Sequence, residues 1–241
     1  MKKVFQYTQL ACIAVLFSCG NQPVSEAKKN ADSISVQSSD SVKQSAKSND
    51  ESIEVTEFST ADIPAELKFK GKIKEAINYK DKNGEHIVIT TETGVYTSKN
   101  DENGFSNAEL YAYRYTINNG TYNQTMRVND FVYDCPLDIQ AKFVENTFQI
   151  TDLNNNGIAE IWVMYVTYCR SDMSPGTMKI IMYEGDTKYA IRGENKILVS
   201  DMNGRKEYLG GKYTADKEIK NGPKEFLEFG IKLWEDHITG L

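Results

Sequence analysis

From Tyr111 to Val128 the chain alternates with a period of two about a single turn signal, and that pattern constrains the fold more than any other. Tyr111, Tyr113, Tyr115 and Ile117 fall on one face, and Ala112, Arg114 and Thr116 on the other. Asn118-Asn119-Gly120 follows, then Tyr122, Gln124, Met126 and Val128 alternate again. Side chains of a strand point to opposite faces at successive residues, and Asn-Gly accepts the positive φ of a tight hairpin turn. The segment therefore predicts an antiparallel hairpin.

The same period predicts strands at Lys72–Tyr79, His86–Thr91, Val95–Ser98, Phe148–Thr151, Ile161–Tyr168, Met178–Tyr183 and Lys188–Ile191. Ile161–Tyr168 is apolar almost throughout, as expected of a central strand covered on both faces. After Pro223 the period changes. Leu227, Ile231, Trp234 and Ile238 fall at helical spacing, widened by Phe226 and Leu233, and Gly240 can end the run. The fold class is α+β and β-rich: antiparallel sheet with a C-terminal amphipathic helix, in one domain spanning residues 61–241.

The N-terminal residues obey different rules. Lys2 and Lys3 precede an apolar run, Leu10–Phe17, too short to span a bilayer, and Leu16-Phe17-Ser18-Cys19 closes it. This resembles the lipobox read by lipoprotein signal peptidase: a signal peptide over residues 1–18, cleavage before Cys19, and acyl chains on its thiol. Two such chains hold a protein stably at a membrane. Residues 19–60 carry Ser, Asn, Asp, Lys, Gln and Ala, with no aromatic between Phe17 and Phe58. They predict a disordered tether, roughly 35 Å end to end as a coil. Gly20-Asn21-Gln22 carries no acidic cluster, which favours an outer-membrane lipoprotein facing the periplasm over one displayed at the cell surface.

Cleavage removes Lys2 and Lys3, so the formal net charge of −6 becomes −8. A chain that acidic, without a basic cluster, argues against nucleic acid as a partner. Of four cysteines, Cys12 leaves with the signal and Cys19 is acylated. Cys135 and Cys169 remain, and outside the cytoplasm a disulfide is expected of them, with two buried thiols as the alternative. The two histidines, His86 and His237, lie far from both.

One loop has the composition of a cation site: Asp152-Leu153-Asn154-Asn155-Asn156-Gly157-Ile158-Ala159-Glu160. Oxygen side chains stand at positions 1, 3 and 5, glycine at 6 and a carboxylate at 9. Asp152, Asn154, Asn156, the Ile158 carbonyl and Glu160 form a candidate calcium set, weak because it holds only two formal charges. Position 12 is Val163 and a strand follows at once, so the loop is no EF-hand; it resembles the calcium loop of FG-GAP repeats. The alternative is an Asn-rich turn held by its own side chains. Related Asp-x-Asn-Gly stretches at Asp81, Asp101 and Asp201 read as hairpin turns, although Glu109 gives the Asp101 stretch a ninth-position carboxylate.

No nucleophile elbow or phosphate-gripping glycine loop is present, so no catalytic residue is assigned, and each histidine reads as surface or packing. Tyr111, Tyr113 and Tyr115 with Trp162 suit sugar stacking, but filling of half-buried strands is the stronger reading.

Lys80–Gly94, Asp134–Ile139, Ile150–Tyr165 and Cys169–Gly185 together resemble a family of Bacteroidota lipoproteins labelled surface polysaccharide biosynthesis proteins, over roughly residues 71–193. The resemblance implies a link to lipopolysaccharide or capsule and carries no catalytic residue. The expectation is a non-catalytic envelope lipoprotein supporting surface polysaccharide biosynthesis or display, with envelope glycan or an envelope protein as partner. The alternatives are a calcium-dependent hydrolase or transferase acting on envelope glycans, and an inhibitor-like protein-binding module.

Overall fold

In a computed structural model, which describes residues 52–99 and 102–239, alternation sorts the hairpin's side chains between two different layers. Ala108, Leu110 and Ala112 face a second sheet, while Tyr111, Tyr113 and Tyr115 face away from it. The first sheet is a meander of β1 (Glu54–Glu57), β2 (Lys72–Asp81), β3 (Gly84–Thr97), β4 (Ser106–Asn118) and β5 (Thr121–Cys135), each antiparallel to the next. The predicted strands His86–Thr91 and Val95–Ser98 are one strand, β3, with a register shift between Glu92 and Gly94.

The second sheet comprises β6 (Asp138–Phe143), β7 (Gln149–Thr151), β8 (Glu160–Arg170), β9 (Thr177–Glu184), β10 (Thr187–Glu194) and, after a separate hairpin of β11 (Lys196–Met202) with β12 (Arg205–Gly210), β13 (Tyr213–Ala215). Its order is β13-β10-β9-β8-β6, and β7 also pairs with β8. β8 is covered on both faces, as its apolar run predicts. Ile161, Val163 and Tyr165 join Val88, Leu110 and Met126 in the core between the sheets. Trp162, Met164 and Val166 pack under α1 (Lys217–Asn221) and α2 (Lys224–His237).

The buried stripe of α2 is rotated from the predicted one. Phe226, Gly230, Leu233 and Trp234 are buried, and Leu227, Ile231 and Ile238 only half so. Gly230 explains the rotation, because a Cβ there would stand 2.8 Å from Ile191 and 3.4 Å from Trp162. The helix approaches the sheet along its smallest residue.

The outward face of the first sheet is covered by a strap that runs from β1 to β2. Phe58, Ile63 and Leu67 lie on Tyr111, Tyr113, Tyr115, Ile87 and Ile89. The Lys70 N–H donates to Tyr113 Oη (3.2 Å), and Tyr115 Oη donates to the Lys68 carbonyl (2.6 Å). Gly71 (φ 92°) lets the strap turn into β2, where a Cβ would lie 2.8 Å from the Glu92 carbonyl. The tyrosine stripe is thus a packing surface here, and Trp162 lies on the other sheet under the helix.

β1 falls within the stretch predicted as tether. Four residues suffice there because Ile53 packs against the inter-sheet core and β2 offers an open edge. The signal segment 1–18, Cys19 and most of the predicted tether lie outside the described residues, as does Gly240. The two sheets are joined covalently: Cys135, ending β5, and Cys169, in β8, form a disulfide with Cα atoms 5.7 Å apart.

Candidate functional site

The Asp152 loop links β7 to β8, and its sequence dictates its shape. Asn155 (φ 55°) and Gly157 (φ 77°) take the left-handed conformation that Asn and Gly tolerate best. Asp152 turns the chain around its carboxylate: Oδ1 accepts from the Asn156 N–H and Oδ2 from the Gly157 N–H, both at 3.0 Å. Asn154 Oδ1 accepts from the same Asn156 N–H (3.2 Å), and Asn156 Oδ1 accepts from the Ile158 N–H (2.7 Å). These are side-chain-to-backbone turns of the kind Asx residues favour.

Glu160 opens β8 and is fully buried. Its carboxylate accepts from Thr151 Oγ1 (2.6 Å) and from the Leu153 N–H (2.9 and 3.1 Å). Thr151 Oγ1 in turn accepts from Trp162 Nε1 (2.9 Å). Across the sheet Glu160 stands opposite Thr151 on one side and Glu184 on the other. Glu184 Oε1 accepts from the amides of Asn154 (2.6 Å) and Asn156 (2.7 Å). Burial pushes the Glu160 carboxyl above its ordinary value; the bonds from Thr151 and Leu153 oppose this, and the charges of Asp152 and Glu184 add to it.

The structure thus brings Asp152, Asn154 and Asn156 together, places Ile158 at the loop's exit, and turns Glu160 toward Thr151 and Leu153. It adds Glu184, which sequence spacing does not reveal because it comes from β9; only the Glu184-Gly185 turn that follows marks it. The oxygens suit calcium in kind, and those of Asp152, Asn154 and Asn156 each keep a second lone pair, whereas Glu160 Oε2 and Glu184 Oε1 already accept two bonds. Yet the side-chain oxygens of Asp152, Asn154, Asn156 and Glu160 already hold N–H groups, and no group of three His, Cys, Asp or Glu among the described residues is disposed around a common point for a metal. The arrangement is first a locked turn.

Its other partner is the β2–β3 turn. The Ala159 N–H donates to Asp81 Oδ2 (3.0 Å), the Lys82 N–H to the Gly157 carbonyl (2.9 Å), and Lys82 Nζ to the Asn156 carbonyl (2.6 Å). Asp81 Oδ1 also takes the Asn83 N–H (2.7 Å) and faces His86 Nε2 at 3.1 Å. Burial raises the Asp81 carboxyl, but the bonds from His86, Ala159 and Asn83 prevail and hold it below the usual range. His86 is buried, stacks on Tyr79 (4.7 Å between centroids), and shares its Nδ1 with Thr116 Oγ1 at 3.0 Å.

An acid, an imidazole and a hydroxyl in line have the order of a nucleophile relay. Here the hydroxyl is bonded on to Thr125 (2.9 Å), which takes Arg114 Nε (2.9 Å). Arg114 is itself tied across to the second sheet at the Gly185 carbonyl (2.8 Å) and Asp186 (3.2 Å). His86, Arg114, Thr116 and Asp186 line an open cleft of about 250 Å³. The line of polar groups runs from sheet to sheet and acts as a joint. His237, at the end of α2, meets the carbonyl of Leu233 (3.1 Å).

No family model, curated protein or solved structure matches the chain.

Proposed function

We propose that this protein is a non-catalytic cell-envelope lipoprotein, held at the outer membrane by acyl chains on Cys19 and facing the periplasm, that supports surface polysaccharide biosynthesis or display. The observation that carries this reading is the Cys135–Cys169 disulfide, which clamps one sheet to the other in a chain that also begins with a lipobox-like signal. The two marks are independent, and both point to an oxidising compartment outside the cytoplasm. The link to lipopolysaccharide or capsule rests on the resemblance of residues 71–193, and its partner is envelope glycan or an envelope protein. A strain lacking the protein should show altered surface glycans, and Cys19→Ala should abolish acylation in a palmitate-labelling experiment. Unchanged glycans in the deletion strain would sink the reading.

Calcium belongs to the proposal as a weak ligand of Asp152, Asn154, Asn156, the Ile158 carbonyl and Glu160, now with Glu184 beside them. The ordered turn holds these oxygens in one loop, but a cation competes there with the N–H groups already bound. Thermal unfolding of the oxidised protein with millimolar calcium, then with chelator, tests this, since a ligand of the native state alone must raise the midpoint. A rise of a few degrees that disappears in Asp152→Ala/Glu160→Ala is expected; no shift would leave the loop a turn.

A further inference from the structure

The end of the first sheet that carries the disulfide holds a feature the envelope reading does not use. Beyond the strap, exposed rings stand on the outward face of β5 among the described residues. Phe131 and Tyr133, on the edge strand β5, are stacked with centroids 4.3 Å apart, yet they are 48% and 46% exposed. A contiguous pair of rings left half in water is the kind of patch that serves as a contact surface.

Beneath them lies Glu109, 1% exposed and directly opposite Phe131 in the β4–β5 register. Lys70 Nζ bonds its Oε1 at 2.5 Å, the Tyr96 hydroxyl donates to the same oxygen, and the Tyr111 hydroxyl donates to Oε2. The charge and a hydrogen bond of Glu109, after desolvation, also raise the Tyr133 phenol. Lys70 lies 5.7 Å from the Tyr96 ring centre, and Arg127 lies 5.1 Å from that of Tyr111. A buried carboxylate so satisfied does not itself meet a ligand. It pins the surrounding rings in place and fixes the direction of their hydroxyls.

That direction selects a ligand chemistry. A phenol has one proton, and Tyr96 and Tyr111 spend theirs inward on Glu109. Of these two, half-buried Tyr96 reaches the surface, where its remaining lone pair can only accept. Beside it stand the exposed aromatic rings. An acceptor set beside exposed aromatic rings complements a ligand with hydroxyl donors and C–H faces, which describes a pyranose. A polyanion fits poorly: the Lys70 charge is already neutralised by Glu109, and the exposed Arg127 beside Tyr111 is a single cation.

We propose that Phe131, Tyr133 and Tyr96, pre-positioned by Glu109 and Lys70, form a binding face for uncharged polysaccharide. This deepens the reading above by naming the class of glycan bound, and it rests on that reading only for its biological setting.

The test is affinity electrophoresis of the full chain in detergent, in gels containing soluble mannan, galactomannan, β-glucan or dextran, with polygalacturonate as the acidic comparison. Retardation is expected in at least one neutral gel and not in polygalacturonate. Phe131→Ala/Tyr133→Ala should weaken it at least tenfold, and Tyr96→Phe, which removes a hydroxyl and keeps the ring, by severalfold. Met202→Ala, at an exposed apolar side chain on the separate β11–β12 hairpin, should leave it unchanged. Both aromatic positions are half exposed, so their loss does not endanger the fold, and unfolding midpoints check this. Migration unaffected by every neutral polysaccharide, retardation by polygalacturonate alone, or undiminished binding by the double variant would each overturn the proposal. None of these results bears on acylation at Cys19 or on the deletion strain, so the two readings fail separately.

Discussion

The two ends of the sandwich are fastened by opposite means, and each hides a glutamate. At one end Cys135 and Cys169 join the sheets covalently, and Glu109 lies three residues along β4 from the residue paired with Cys135. At the other end Asp81 and Lys82 grip the Asp152 loop by hydrogen bonds, and Glu160 lies beside that grip. Glu109 and Glu160 both have almost no exposed surface, Glu160 lying the deeper, and their proton affinities move in opposite directions. Burial raises both. At Glu109, Lys70 and the Tyr111 and Tyr96 hydroxyls overcome it and bring the carboxyl to about 2. At Glu160 no cation is among the causes of the shift, and Asp152 and Glu184 add to the cost of charging it. Lack of exposed surface alone does not set a carboxyl's behaviour; the sign of its neighbours adds to or overcomes the cost of burial.

The comparison can be broken first at its covalent end. Replacing Cys135 and Cys169 by alanine should cost the most, up to about 4 kcal/mol on the chain-entropy account for a separation of 34 residues. Urea unfolding of the oxidised protein and the double variant measures it. A loss below about 1 kcal/mol would mean that the polar joint alone holds the sheets in register.

Next in size is Glu109→Gln, which leaves Lys70 and the phenols without their anion and should cost about 2–3 kcal/mol at neutral pH. Its pH signature is distinct. Because the folded value of about 2 lies below the ordinary 4.5, the stabilisation is complete above 4.5 and is lost as pH falls toward 2. The wild type should therefore weaken over that window, and the variant should weaken less.

The smallest effect is expected of Glu160→Gln. Its raised carboxyl binds a proton more tightly when folded, so its contribution is greatest below 4.5 and declines as pH rises through the raised value. Removing the charge should change stability at pH 7 by less than about 1 kcal/mol and flatten the decline above pH 4.5. Unfolding curves across that range decide it. A larger loss than for Glu109→Gln would reverse the ranking of the two ends.

What could be read beforehand was whatever depends on near neighbours in sequence. The alternation around Asn119-Gly120 fixed the β4–β5 hairpin, and the apolar run from Ile161 foretold a strand covered on both faces. Asp152 to Glu160 was visible as one loop because its turn chemistry is local. What escaped depends on register between distant strands. Glu184 meets Asn154 and Asn156 only because β9 lies beside β8. Glu109 looked like a partial ninth ligand of the Asp101 stretch; its partner Lys70 is 39 residues away, on a strap whose apolar residues are too sparse to announce an element. The β11–β12 hairpin was marked in advance only by its Asp201 turn, because its strands face water on both sides and lack the alternation that burial imposes.

The order of strands in the first sheet also sets an order in time. Every strand from β1 to β5 pairs with its neighbour in sequence, so that sheet needs no residue beyond Cys135 to complete its hydrogen bonds. A chain emerging N-terminus first can close this meander while Cys169 is still to come. Until β8 arrives, Val88, Leu110, Met126 and Val128 face water, and the Cys135 thiol has no partner. The interval between those two cysteines is when a nascent chain would be most open to a chaperone, and to a wrong disulfide.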